Sequence, residues 1–110
     1  MAQENYIGRR KTSTARLYIK AGTGEFIVNG KPVDEYFKTK AQNNIALLPL
    51  AVTEKNGEYD VKVTVRGGGV TGQAGAVSLA LARALDDLNE DVHSTLKEHG
   101  LLTRDDRMVE

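Results

Sequence analysis

Two clusters of residues could meet an anion. The first is Gly67 to Gly72 (GGGVTG), which formally matches G-x-G-x-x-G. It follows an alternating segment and leads toward a helical pattern, the setting a dinucleotide fingerprint requires. Glycine N–H groups at a helix N-terminus can hold a phosphate. The second cluster is Arg9-Arg10-Lys11, with the hydroxyls of Thr12, Ser13 and Thr14 beside it. Such a group meets phosphates by charge and by hydroxyl hydrogen bonds.

The specific enzymatic readings of the glycine loop fail on context. A dinucleotide site needs an acid ending a second parallel strand. Asp86 and Asp87 fall at the end of a helix instead, and another helix follows. A P-loop needs Lys and Ser or Thr after its last glycine, but Gln73 and Ala74 stand there. A small nucleotide- or phosphate-binding module built on Gly67 to Gly72 remains the alternative function. The plainer reading is a tight strand-to-helix turn, and the local pattern favours it.

Single residues add further candidates. Arg66 adjoins the loop and points away from its strand's valines, so it could bring charge to an anion held there. Arg83 lies roughly opposite an apolar helix stripe, exposed to a partner or to water. His93 and His99 are six apart, which does not place them on one helix face, and they read as surface residues. Asp86-Asp87 and Asp105-Asp106 are adjacent pairs, which on a helix do not face each other, and they read as solvated charge. No nucleophile–base pair is visible, so the sequence offers no catalytic residues. Cysteine is absent, which removes thiol nucleophiles, disulfides and Cys-based zinc sites. With two histidines, a His-rich metal site is excluded too, and no metal or other cofactor is expected.

Charge is unevenly spread along the 110 residues. Met1 to Lys20 holds Arg9, Arg10, Lys11, Arg16 and Lys20 against Glu4, a balance of +4. Residues 21–66 are neutral, and 67–110 carry −4, so the formal total is zero and the pI about 6.7. A nucleic-acid binder normally has a high pI and a basic stripe, and only the first segment meets that description. The acidic end would repel phosphates unless it faces away from them. Ile45 to Val52 is the longest mostly apolar stretch and is too short to span a bilayer. The opening MAQENYIGRRK lacks a signal's apolar segment, so the expected compartment is the cytoplasm, without membrane contact.

The elements that must hold these residues follow from periodicity. Arg16 to Lys20 alternates as a half-buried strand, preceded by a basic arm over residues 1–15. Ala21 to Gly24 reads as a turn into a paired strand, Glu25 to Val28, and Asn29-Gly30 as a second turn. Pro32 can open a short helix to Phe37. Ala41 to Leu48 looks helical and stops at Pro49. Lys55 to Glu58 reads as a turn. Tyr59 to Arg66 alternates strictly, valines on one face and Asp60, Lys62, Thr64 and Arg66 on the other. After Gly67 to Ala76 comes a helix with Val77, Ala80, Leu81, Ala84, Leu85 and Leu88 in a stripe. Asn89 can cap a last helix whose Val92 and Leu96 face the core, ending at Gly100. One layer of strands carrying helices gives an α+β class in a single domain, 1–110.

Several motifs then coincide. GRRKTSTARLYIK (Gly8 to Lys20) precedes a GxGxxxxNG hairpin over Gly22 to Gly30 and EYF at Glu35 to Phe37. GGGVTGQAGAVSLALARAL (Gly67 to Leu85) precedes TRDDRMVE (Thr103 to Glu110). From about Tyr6 onward the chain resembles the bacterial-type small-subunit ribosomal protein S-nine family. The resemblance implies a two-layer α/β sandwich like the second domain of ribosomal protein S-five, with a left-handed β-α-β crossover, an exception to the usual hand. It implies a structural, non-enzymatic role in the small subunit's head, with rRNA and neighbouring ribosomal proteins as partners.

On that view the segment Gly8 to Thr12 would lie near rRNA, where Arg9, Arg10, Lys11, Arg16 and Lys20 would neutralise phosphates and Thr12 would be a further contact. Arg66 with Gly67, Gly68 and Gly69 would form a second contact, and Arg83 an additional one. Arg104 and Arg107 would start a C-terminal extension over 101–110. The acidic helix from Glu90 to Glu98 would face solvent or other proteins. Family members continue past the match to Val109-Glu110 with a long basic tail reaching toward P-site tRNA. The tRNA contact is therefore expected only where such a tail is present.

Overall fold

The computed structural model describes residues 4–10, 12–54 and 57–99. Five strands form one sheet in the order β1 (Glu4–Arg10), β2 (Ser13–Ala21), β5 (Tyr59–Arg66), β3 (Phe26–Val28), β4 (Lys31–Pro32). The helices are α1 (Val33–Tyr36), α2 (Lys40–Thr53), α3 (Val70–Leu88) and α4 (His93–Glu98), the last preceded by a 3₁₀ turn at Glu90–Val92. The class is α+β, as the pattern implied. No helix among the described residues is long and apolar enough to cross a membrane.

The alternation read from the sequence sets the two faces of the sheet. Ala15, Leu17 and Ile19 of β2, Val61, Val63 and Val65 of β5, and Phe26 and Val28 of β3 are buried under α3 and its neighbours. Arg16, Lys20, Lys62, Thr64 and Arg66 project from the opposite face, where they are exposed. The segment read as an arm is itself a strand over Glu4–Arg10, paired antiparallel with β2. Its alternation is hard to see because the inward position opposite Ala15 is Gly8, which has no side chain.

The turn at Ala21 to Gly24 does not join two paired strands. The central β5 inserts between β2 and β3, antiparallel to the first and parallel to the second. Three valines give β5 an apolar inner face that the sheet's centre buries best. The hairpin signal belongs instead to Asn29-Gly30, which links β3 to β4 with φ of 51° and 84°. Two positive values are what a type I′ turn needs. Asn29 also extends the parallel ladder with its side chain. Val65 N–H donates to Asn29 Oδ1 at 2.9 Å, and Asn29 Nδ2 donates to the Val65 carbonyl at 3.0 Å.

Three helix boundaries differ from the sequence reading. α2 runs through Pro49 to Thr53, starting from Thr39, whose hydroxyl accepts the Gln42 N–H at 3.2 Å. An interior proline costs about 3 kcal/mol, but Ala46, Pro49 and Leu50 are all buried, and the Thr53 hydroxyl donates to the Pro49 carbonyl at 2.7 Å. α3 begins at Val70, closed by Gln73 N–H donating to the Gly69 carbonyl at 2.9 Å. All of the expected loop after Gly69, Val70 to Ala76, is therefore its first turns. The helix is also buried beyond its stripe, at Ser78, Leu79 and Ala82, because α2 packs alongside it, while Leu88 is 40% exposed. Asn89 does not cap the following helix with its side chain, whose Nδ2 turns back to the Leu85 carbonyl of α3 at 3.4 Å. It also donates to the Tyr59 hydroxyl at 3.0 Å, and the following turn closes through the Asn89 carbonyl. Val92 and Leu96 are buried as expected. Lys55, Asn56 and Gly100, assigned to turns and a cap, lie outside the described residues.

One carboxylate ties the Ala21–Glu25 bend to β5. Asp60 Oδ1 accepts from the backbone N–H of Thr23 (3.0 Å), Gly24 (3.2 Å) and Glu25 (3.0 Å). The Glu25 and Thr23 amides, against a lesser opposing effect of burial, hold its carboxyl below the ordinary value, with smaller help from Gly24 and Lys20. A depressed folded pKa contributes stability above the unfolded value of about 3.9, lost as pH falls through the folded one. Acidification below about pH 4 should therefore speed hydrogen exchange at the Thr23, Gly24 and Glu25 amides before the sheet centre responds. In Asp60→Asn the same amides should exchange faster at neutral pH and show no such acid step. An acid step that persists in the variant would remove Asp60 from this role.

Candidate functional site

The outer sheet face gathers the basic residues by register. Arg9 of β1 sits opposite Thr14 of β2, which sits opposite Arg66 of β5. One row further along, Ile7, Arg16 and Thr64 align. Arg9, Arg16 and Arg66 thus occupy adjacent strands at one end of the sheet, all exposed. Lys20 lies six residues from Thr14, about 20 Å along the strand, opposite Asp60. It shares the face but belongs to the other end.

The glycine loop adjoins that basic end, and its glycines divide into two kinds. Gly67 and Gly68 have φ of 86° and 63°, where a side chain is strained. Their faces are already filled by the β1–β2 turn. A Cβ on Gly67 would run into the Thr12 carbonyl, and one on Gly68 into the Ser13 and Thr12 hydroxyls. Ser13, almost wholly buried, donates to the Gly67 carbonyl at 2.9 Å. Gln73 Nε2 donates to the same carbonyl at 3.2 Å, and its Oε1 accepts from the Tyr36 hydroxyl at 2.7 Å. The plain turn reading holds for these two glycines. They let the loop close over Thr12 and Ser13, which leaves no open cradle for a mononucleotide between them.

Gly69 is different. It is exposed, has an ordinary extended backbone (φ −91°), and nothing stands within 4 Å of where its Cβ would be. It precedes α3 with no side-chain cap, so the first N–H groups of a 19-residue helix open beside Arg66. Thr12 is exposed in the turn next to it.

The other predicted positions fall elsewhere. Arg10 ends β1, while Lys11, Arg104 and Arg107 lie outside the described residues. Arg83 belongs to the helix layer and has a structural partner, donating from Nη1 to the Ile7 carbonyl of the edge strand at 2.8 Å. The acids of α3 are likewise engaged. Asp86 pairs with His93 Nδ1 at 2.6 Å, and Asp87 accepts from the Tyr6 hydroxyl at 2.5 Å. Among the described residues no carboxylate comes within salt-bridge distance of Arg9, Arg16, Lys20, Lys62 or Arg66. The end of the outer face that carries Arg9, Arg16 and Arg66 therefore presents uncompensated positive charge, whereas Asp60 stands opposite Lys20 at the other end. Sequence reasoning puts Lys62 on one strand face with Arg66, and Tyr18 on one with Arg16 and Lys20, but counts neither Lys62 nor Tyr18 among the site residues. Strand alternation carried the signal, but not which strands are neighbours.

Known proteins resemble this chain along most of its length. A family model described as Ribosomal protein S9/S16 matches residues 8–110. The small ribosomal subunit protein uS9 of Chlorobium limicola is 56% identical over 104 residues, covering 94% of this chain and 81% of the relative. Those of Chlorobaculum parvum and Chlorobaculum tepidum are 54% and 53% identical over the same shares.

Proposed function

The chain belongs to the ribosomal protein S9/S16 family, and from that premise we propose that its outer sheet face and Gly69 hold small-subunit rRNA. It is a structural protein of the small ribosomal subunit, not an enzyme. One observation carries the placement of the contact. Arg9, Arg16 and Arg66 stand on three adjacent strands, uncompensated among the described residues, beside an open helix N-terminus. Guanidinium groups and backbone N–H donors are the standard partners of phosphate. The acidic groups of α3 and α4 lie on the helix layer, so they do not oppose an RNA backbone at the sheet. Arg10 and Lys11 would add positive charge to the same contact. The whole of 1–110 serves as one rRNA-binding domain in the subunit's head, in the cytoplasm, with its helix layer toward solvent or neighbouring ribosomal proteins. Contact with P-site tRNA we assign to basic residues that follow Val109-Glu110 in the family, with Arg104 and Arg107 at the start of that path, and not to this sheet.

The test is co-sedimentation of the chain with small subunits across a salt series. It should travel with the subunit at physiological salt and be released as salt rises, because phosphate contacts are lost by counterion competition. Remaining at the top of the gradient at low salt would overturn the proposal.

Gly69 gives a sharper local test. Ser at this position fits the backbone and is a favoured N-cap, so Gly69→Ser should leave thermal stability unchanged or raise it by up to about 1 kcal/mol. Its side chain would nevertheless stand where a phosphate approaches the helix N-terminus. The expected result is a loss of rRNA affinity of several-fold at constant or improved stability. Unchanged affinity would confine the contact to the arginine rows.

A further inference from the structure

Tyr18 lies at the middle of the uncovered sheet face. It is half-buried, directly opposite Lys62, with Arg16 and Lys20 two residues away on the same strand and side. Ile27 of β3 stands opposite Lys62 on the far side. No hydrogen bond to the Tyr18 hydroxyl occurs among the described residues. Shallow hollows flank the ring. One of about 90 Å³ is lined by Tyr18, Lys20, Glu25, Asp60, Val61 and Lys62. Another of about 310 Å³ is lined by Tyr18, Ile27, Gly30, Lys62, Val63 and Thr64.

We propose that Tyr18 is a stacking platform for an unpaired RNA base, whose flanking phosphates are held by Lys62 and Arg16. This rests on the rRNA reading above and names the form of RNA that this face takes. A half-buried aromatic ring on an open sheet, with cations on the positions around it, suits single-stranded RNA, because splayed bases stack on aromatic side chains while lysines track the backbone. A duplex keeps its bases stacked inside and would leave the ring without a partner. The charge favours a polyanion over a protein surface. Two carboxylates, Glu25 and Asp60, line the hollow on the Lys20 side of Tyr18. But Asp60 Oδ1 is committed to three backbone amides, neither acid forms an ion pair with Lys20 or Lys62, and the hollow on the Thr64 side is lined by no acid.

The experiment measures binding of the full chain to protein-free small-subunit rRNA, with Tyr18→Leu, Tyr18→Phe and Lys62→Ala beside the wild type. Tyr18→Leu should lose about tenfold to a hundredfold in affinity with an unchanged salt slope, since stacking is not counterion release. Tyr18→Phe should bind as the wild type does. Lys62→Ala should lower the salt slope by about 0.7 to 0.9, the share of one phosphate contact, and this variant keeps the inference testable should Tyr18→Leu fold poorly. Chemical probing should show one unpaired base protected by the wild type and exposed with Tyr18→Leu. If Tyr18→Leu and Lys62→Ala both bind like the wild type while loss of Arg9, Arg16 and Arg66 weakens binding, the rRNA reading stands and the stacking inference falls. Equal losses in Tyr18→Phe and Tyr18→Leu would point to the hydroxyl and overturn stacking. Normal rRNA affinity with impaired entry into subunits would place a protein on this face and overturn the inference as well. If even the wild type fails to bind, the rRNA reading itself is wrong.

Discussion

Replacing Arg9, Arg16 and Arg66 together with alanine should lower affinity for small-subunit rRNA about a hundredfold at physiological salt and flatten the salt dependence. Each phosphate contact adds roughly 0.7 to 0.9 to the slope of log affinity against log salt, so three lost contacts should reduce it by about 2 to 3. At 0.15 M salt such a slope corresponds to about two decades of affinity. The folded state should be nearly indifferent to the change. All three side chains are exposed, and none is bound to a carboxylate among the described residues. Surface substitutions of this kind usually stay within about 0.5 kcal/mol. Filter binding across a salt series, with a thermal melt of each protein, checks both halves. A triple variant with wild-type affinity and slope would move the rRNA contact off this end of the sheet. Arg83→Ala is the contrasting control. Its guanidinium holds the Ile7 carbonyl of the edge strand, so its loss should appear in stability before it appears in RNA affinity.

The basic face was only half legible in the sequence. Alternation in Arg16 to Lys20 and in Tyr59 to Arg66 states which side chains share a face within each strand. It does not state that the two strands are neighbours. The sequence reading paired Arg16–Lys20 with Glu25–Val28 through a short turn, because local turns are the signals a linear pattern carries. The real neighbour of β2 is β5, nearly forty residues further on, and only its valine-rich inner face hints at a central place. With β3 in that position, Arg66 stood alone beside a glycine loop. With β5 there, Arg66 aligns with Thr14 and Arg9, and Lys62 aligns with Tyr18. The same gap explains the glycine loop. Which glycines serve packing and which face open space depends on the β1–β2 turn lying against Gly67 and Gly68, a contact between segments more than fifty residues apart.

The helix errors have a common physical source. Pro49 and Gly72 are local breakers, and both lie inside helices. Each helix continues because its flanking residues are buried, Leu50 after Pro49 and Ala74, Ala76 and Val77 after Gly72. Tertiary burial outweighs a local preference of a few kcal/mol. The alternation of β5 and the stripe Val77, Ala80, Leu81, Ala84 and Leu85 of α3 are legible in the sequence, because there periodicity and burial agree.

Gly8 is where local reading and packing part most sharply, and it yields the largest expected stability effect. The resemblance implies that the segment Gly8 to Thr12 lies near rRNA, and a contact reaching as far as Gly8 itself would make this glycine a point of close RNA approach. The structure buries it against α3 instead. A Cβ there would lie 2.6 Å from the Ala80 nitrogen and closer still to the Ala76 carbonyl oxygen. Both are helix backbone, which cannot rotate aside as a side chain can. Gly8→Ala must therefore push α3 away from β1 or bend the edge strand. Overpacking ordinarily costs about 1 to 3 kcal/mol, and rigid neighbours place this site at the upper end. A cost near 3 kcal/mol lowers the melting temperature of a domain this size by roughly 10 to 20 °C. The RNA reading of Gly8 predicts the opposite pattern, an unchanged melt with weakened binding. Thermal unfolding and rRNA binding of Gly8→Ala, measured on the same preparation, therefore decide between them. A large drop in melting temperature assigns this glycine to the joint between sheet and helix. It would also mean that the basic residues that follow reach RNA because Gly8 fixes the strand from which Arg9 projects.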